Sequence, residues 1–293
     1  MYRILLMIMA ATAALYGYQS QEEDLPVKRS KDTLCVKYKF YTGDELEYSL
    51  TAYDSISIDY GEFLWKQRNE VWIVRCDSVK GDSEFYLSLA LKEYHSKEYQ
   101  SGDSSETTYS PWLGRRFGIA IDSLGNRLSF WIADTIHPAV NPGGAFQPYL
   151  FFPFGSSCNR QEATSLVSYS DFVPENGLPV PLINQNFYTK HERKLDTLGH
   201  RCTRVQLIQT SQGSIKLSNQ ADNPKSLVRT TSILNGHANL DIDNDFHIPV
   251  HLFFTIEQKL TLHFGKGRTV PGSHYINSFY KLEKFTKSPL RIK

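Results

Sequence analysis

Asp241-Ile242-Asp243-Asn244-Asp245 sets three carboxylates at the alternate spacing with which a calcium loop begins. An EF-hand would continue with Gly at its sixth position and a bidentate Glu at its twelfth. This chain has Phe246 and Leu252 there, so the segment reads as an acidic hairpin tip. Nine histidines invite a metal reading. On an extended chain His247 and His251 are about 13 Å apart, and His263 lies about 40 Å beyond them, too far to share an ion. Only a tight hairpin at Glu257-Gln258 would set His251 opposite His263, and neither residue favours a turn. No G-x-S-x-G, H-E-x-x-H, phosphate-loop or dinucleotide pattern occurs, and His191-Glu192 lacks the second His of a zinc helix. No catalytic residue, metal ligand or cofactor is therefore assigned.

The remaining candidate is apolar. Phe146-Gln-Pro-Tyr149-Leu150-Phe151-Phe152-Pro153-Phe154-Gly155 packs five aromatics into a proline-bearing loop. Such a loop is a lid or plug over an apolar cavity, or a surface for lipid or a partner; alternatively it folds back to cap the core. Phe146, Tyr149, Phe151, Phe152 and Phe154 are the predicted ligand-binding residues. Trp65, Trp72, Trp112 and Trp131 read as core, a sugar-binding platform being the other use of such rings.

The elements that must position this loop are strands. From Asp44 to Tyr60 apolar and polar residues alternate at period 2, with one lapse at Asp54: either Asp54-Ser55 marks a bulge or bend, or the strand is long and curved. Val250 to Phe264 alternates without Gly, Pro, Asn or Asp. Gln67-Arg68-Asn69-Glu70 reads as a turn between two short strands, and Asn235-Gly236 as another. Asp122-Ser-Leu-Gly-Asn-Arg127 returns as Asp196-Thr-Leu-Gly-His-Arg201. Asp accepting from the turn backbone and Gly at positive φ predict two hairpins of similar design. Seven of the thirteen prolines fall between Pro138 and Pro181, which makes that stretch a connection rather than central strands, with a short strand from Thr164 to Phe172 expected within it.

The expected fold is all-β: long, curved antiparallel strands in one or two half-barrel-like sheets, with little helix. Residues 1–20, a basic start and a short apolar run, have the form of a signal peptide. Residues 27–136 form an N-terminal β half, 137–181 the aromatic, Pro-rich connection, and 182–293 a C-terminal β half. The last residues, from Lys281, read as a frayed basic tail. Export to the periplasm, cell envelope or exterior follows, with no transmembrane span after signal removal. A net charge of +1 gives no argument for nucleic acid. Cys35, Cys76, Cys158 and Cys202 permit two disulfides in three pairings, or are simply buried.

The strand Gly43-Asp44-Glu45-Leu46-Glu47-Tyr48 and the hairpin Gly199-His200-Arg201-Cys202 resemble exported β-rich proteins of unknown function that open with a Gly-Asp-x-Leu-x-Tyr strand. The strand pattern also resembles the half-barrel of periplasmic lipoprotein carriers, which implies a curved sheet holding an acyl chain. It carries over no functional residue. The functional expectation is non-catalytic binding of an apolar small molecule or lipid. The alternatives are an assembly component that binds another envelope protein, and a secreted hydrolase without a recognisable motif.

Overall fold

The computed structural model describes residues 33–59, 62–100, 102–110, 112–132, 150–160, 164–172, 182–216, 222 and 227–292. The expected signal peptide, Phe146, Tyr149 and the side chain of Trp131 lie outside them. The described residues belong to one unit, Asp32–Lys293. They form fourteen strands: β1 (Thr33–Cys35), β2 (Glu45–Ile58), β3 (Glu62–Lys80), β4 (Glu84–Gln100), β5 (Asp103–Thr107), β6 (Arg116–Asp122), β7 (Arg127–Ile132), β8 (Cys158–Arg160), β9 (Thr164–Phe172), β10 (Leu182–Thr197), β11 (His200–Lys216), β12 (Leu227–Asp243), β13 (Pro249–Phe264) and β14 (Thr269–Thr286). Two short 3-10 turns complete the regular structure, and the all-β expectation is met. Among the described residues no helix is long and apolar enough to cross a membrane.

Twelve strands make one open antiparallel sheet in the order β7-β6-β4-β3-β2-β14-β13-β12-β11-β10-β9, with β5 also on β4; β1 and β8 pair separately. The chain enters at the middle on β2, winds out to the edge strand β7, reappears at the opposite edge on β9 and winds back to β14. The pairing of β14 with β2 puts both predicted β halves into a single sheet. The Pro-rich connection has the task of carrying the chain from one edge to the other.

Of its described residues, 158–160 form β8 and 164–172 the edge strand β9, while 150–157 run across the inner face beside residues 36–41. Val36 N donates to Ser157 O, Tyr38 N to Ser123 O and Phe154 N to Leu124 O. The Tyr38 hydroxyl is bonded to both the carbonyl and the amide of Phe152. Laid flat, β6 and β10 would be about 38 Å apart, at roughly 4.8 Å per strand. Yet Phe152 reaches both: its carbonyl lies against Gly125 after β6, and its ring is 6.2 Å from that of Phe187 on β10. The sheet is therefore strongly curved around these two inner segments. A Cβ at Gly125 would fall 2.2 Å from the Phe152 carbonyl oxygen, which is why the first hexapeptide needs its Gly.

The two hexapeptides differ in design, against expectation. In the first, the Asp122 carboxylate accepts from the amides of Leu124 and Asn126. In the second, Thr197 pairs with His200 across Leu198 and Gly199, both at positive φ, a two-residue turn that does not need Asp. The basic tail is not frayed either. The Arg291 side chain, 7% exposed, pairs with fully buried Asp44 and donates to Lys39 O and Phe246 O. Asp44 also accepts from the amides of Tyr41 and Ser288, so the Gly-Asp opening is a turn clamped by the C-terminus.

Candidate ligand site on the inner face

Residues predicted to turn the chain instead lie in the middle of strands. β3 is continuous over nineteen residues, so Gln67-Arg68-Asn69-Glu70 is no turn. β12 runs straight through Asn235-Gly236. β13, by contrast, runs unbroken through Glu257-Gln258 as its alternation predicts. β2 pairs with β3 without a register shift, so Asp54 marks no bulge. Alternation along these strands turns Asp54, Arg68, Glu70 and Gly236 to the inner face, where each is buried. Long-range pairing has overridden local turn chemistry at all four positions, and the four fall in one region.

Register shows how they combine. One cross-strand row reads Lys66, Asp54, Ile276, Ile256, Gly236, Gln209 over β3-β2-β14-β13-β12-β11. The next reads Arg68, Ala52, Ser278, Phe254, Ala238, Leu207. The inner face is thus ionic on β3 and β2 and apolar from β13 to β11.

On the ionic side Arg68 Nε donates to Asp54 Oδ2 at 2.9 Å, and its Nη1 donates to Glu70 Oε1 at 2.5 Å. Trp72 Nε1 donates to Glu70 Oε2 at 2.6 Å. Burial, only partly offset by Arg68, raises the Asp54 carboxyl above its usual range. Its Oδ1 is buried and has no hydrogen-bond partner among the described residues. His274 lies diagonally across from Asp54, and burial, with a further contribution from Arg68, holds its imidazole down at about 4.

A pH dependence follows. Unfolded His274 takes up a proton near 6.5, but the folded protein resists protonation until about 4. The unfolded state then binds more protons in that window, so stability is full above about pH 6.5 and falls as the pH drops toward 4, by about 3 kcal/mol from this residue. Asp54, with its raised carboxyl, works in the opposite sense. His274→Gln should flatten the fall in urea midpoint between pH 7 and 4.5; an unchanged slope would contradict the assignment.

On the apolar side, Phe152, Leu207, Gly236, Ala238, Phe254 and Ile256 line a crevice, with Gln209, His237 and Thr255 at its margins. Its free volume is about 10 Å³, room for about one water molecule, and it is open to solvent on one side. The crevice is a shallow apolar dent in the packed inner face. Gly236 widens it, because a side chain there would project toward Gln209.

Of the predicted site residues, Phe152 lines this crevice and Phe154 is fully buried, stacked on Tyr38 at 4.8 Å. Phe151 is half-buried, its ring edge-on to Tyr38 and Phe40. Phe146 and Tyr149 lie outside the described residues. Trp72 and Trp112 are core, but Trp65 is half-buried on the opposite, convex face.

The acidic segment is the β12–β13 turn, and its carboxylates are engaged. Asp241 accepts from Arg204, Asp243 from the amides of Asp245 and Phe246 and from His200 Nδ1, and Asp245 from Arg201. Because β13 does not fold back, His251 faces Asp241 and Lys281, with His263 at the strand's other end. No cluster of three or more metal-ligating side chains occurs among the described residues. Cys35 and Cys158 form a disulfide joining β1 to β8; Cys76 and Cys202 are free and buried, which pushes both thiols up to about 12. No protein-family model and no curated protein matches the chain.

Proposed function

We propose that this is an exported, non-catalytic protein that binds an apolar ligand on the inner face of its curved sheet. The observation that carries the reading is the crevice opposite Phe152, whose floor is apolar and is deepened by a glycine in mid-strand. Glycine weakens a strand interior, and a recurrent reason for one is close approach of another group. The Cys35–Cys158 disulfide supports the exported half of the reading, since such bonds persist in oxidising compartments.

Titration with a fluorescent long-chain alkyl probe tests the proposal. Saturable binding is expected, weakened at least tenfold by Ala238→Trp, which fills the crevice while leaving the ionic side intact. Absence of saturation, or equal binding by the variant, would sink it.

A further inference from the structure

The convex face carries a second, unrelated pattern. Across β3-β2-β14-β13-β12, three consecutive outward rows comprise fifteen positions, from Trp65 to Asn235, Gln67 to His237, and Asn69 to Asn239. Five are aromatic: Trp65, Tyr53, Tyr275, Phe279 and Phe253. Five more are Asn or Gln and three are Ser or Thr; Glu257 is the one carboxylate, His237 is the fifteenth position, and no Lys or Arg occurs among them. Toward the β2–β14 end with Glu45, charge returns on the same face, in the pairs Lys92–Glu47, Lys281–Glu283 and Arg204–Asp241. Charge also returns on β4, where Lys97 lies 5.4 Å over the Tyr99 ring and pairs with Glu106, so the neutral zone is confined to β3-β2-β14-β13-β12.

The rings are accessible and run together. Tyr53 is 36% exposed, Tyr99 on the neighbouring β4 38%, and Tyr275 and Phe279 43% each. Ring centroids lie 5.0 Å apart for Trp65 and Tyr99, 6.2 Å for Tyr53 and Trp65, and 4.7 Å for Phe253 and Phe279. Aromatic faces carry negative potential and attract C–H groups with partial positive charge, while the flanking amides and hydroxyls supply both donors and acceptors. A ligand that presents apolar C–H faces rimmed by hydroxyls, and no charge, matches both features. Protein interfaces share the aromatic enrichment, but they add Arg and seat their anchors in pockets. This zone has no Arg and is the outer surface of a sheet.

We infer that the convex face binds a neutral polysaccharide, with Tyr99, Trp65 and Tyr53 as the stacking ridge. The full chain should be depleted from solution by at least one of insoluble cellulose, chitin or a cross-linked β-glucan or mannan, independently of salt. Trp65→Ala with Tyr99→Ala should reduce that retention at least tenfold. Tyr275→Ala, more exposed and on the same face, should reduce it several-fold with an unchanged melting temperature, which separates binding from folding. Tyr188→Ala, outward on β10, should leave it unaltered. The inference is overturned if no neutral glycan retains the protein, if retention is confined to anionic glycans and lost in salt, or if the ridge variants bind as well as the parent. Capture of a protein partner through the ridge without glycan binding overturns it as well.

Discussion

Reduction of the Cys35–Cys158 disulfide is expected to lower the stability of this protein by about 5 kcal/mol. The bond spans a sequence separation of 123 residues, and closing a loop of that size removes about that much chain entropy from the unfolded state. The folded state loses alignment as well. The disulfide holds β1 against β8, next to the hydrogen bonds from Val36 N to Ser157 O and between His191 Nδ1 and Leu34 O. Both inner segments, 36–41 and 150–157, are set by that clip, so the loss should reach the aromatic cluster of Tyr38, Phe151 and Phe154. Guanidinium unfolding of the Cys35→Ser, Cys158→Ser variant, compared with the reduced parent, checks this. A loss below about 1 kcal/mol in both would mean that the inner segments are held in place without the bond.

Arg68→Met is expected to cost about 3–5 kcal/mol, because it leaves Asp54 and Glu70 buried without their shared cation. Arg68→Lys should recover part of that loss: it restores the charge but not the fork that reaches two carboxylates at once. The same variants separate two readings of β3. Were Gln67-Arg68-Asn69-Glu70 a surface turn, Arg68→Met would fall within about 0.5 kcal/mol of the parent. Urea denaturation at pH 7 distinguishes the two outcomes.

That contrast shows what was legible in the chain. The alternation in β2 and β13 marked both strands, and the prolines between Pro138 and Pro181 marked a connection, because each signal is local. Asp54, Arg68, Glu70 and Gly236 stood out as interruptions of the strand pattern; the last three were read as turn residues, and Asp54 as a bulge or a lapse in one long strand. Their meaning is not local. Asp54 and Arg68 explain each other only once β2 and β3 are paired along their whole length, and Gly236 matters because Ile256 and Gln209 flank it on the neighbouring strands. The aromatic loop was visible as a cluster of rings in a proline-rich segment. Its place across the inner face depends on a chain that leaves one edge of the sheet and re-enters at the other, and no sequence window contains that fact. Trp65 carried no signal to separate it from Trp72; facing Ser55 rather than Tyr48 puts it on the convex side.

The proposed function rests on the crevice, and the most direct measurement is a crystal of the protein grown with an alkyl chain brominated at its end. Anomalous scattering then locates the chain terminus without reference to side-chain shape. The account predicts one bromine peak among Gly236, Ala238 and Phe152, abolished by Ala238→Trp. Bromine found only on the convex face, or at no defined position despite bound ligand in solution, would contradict it.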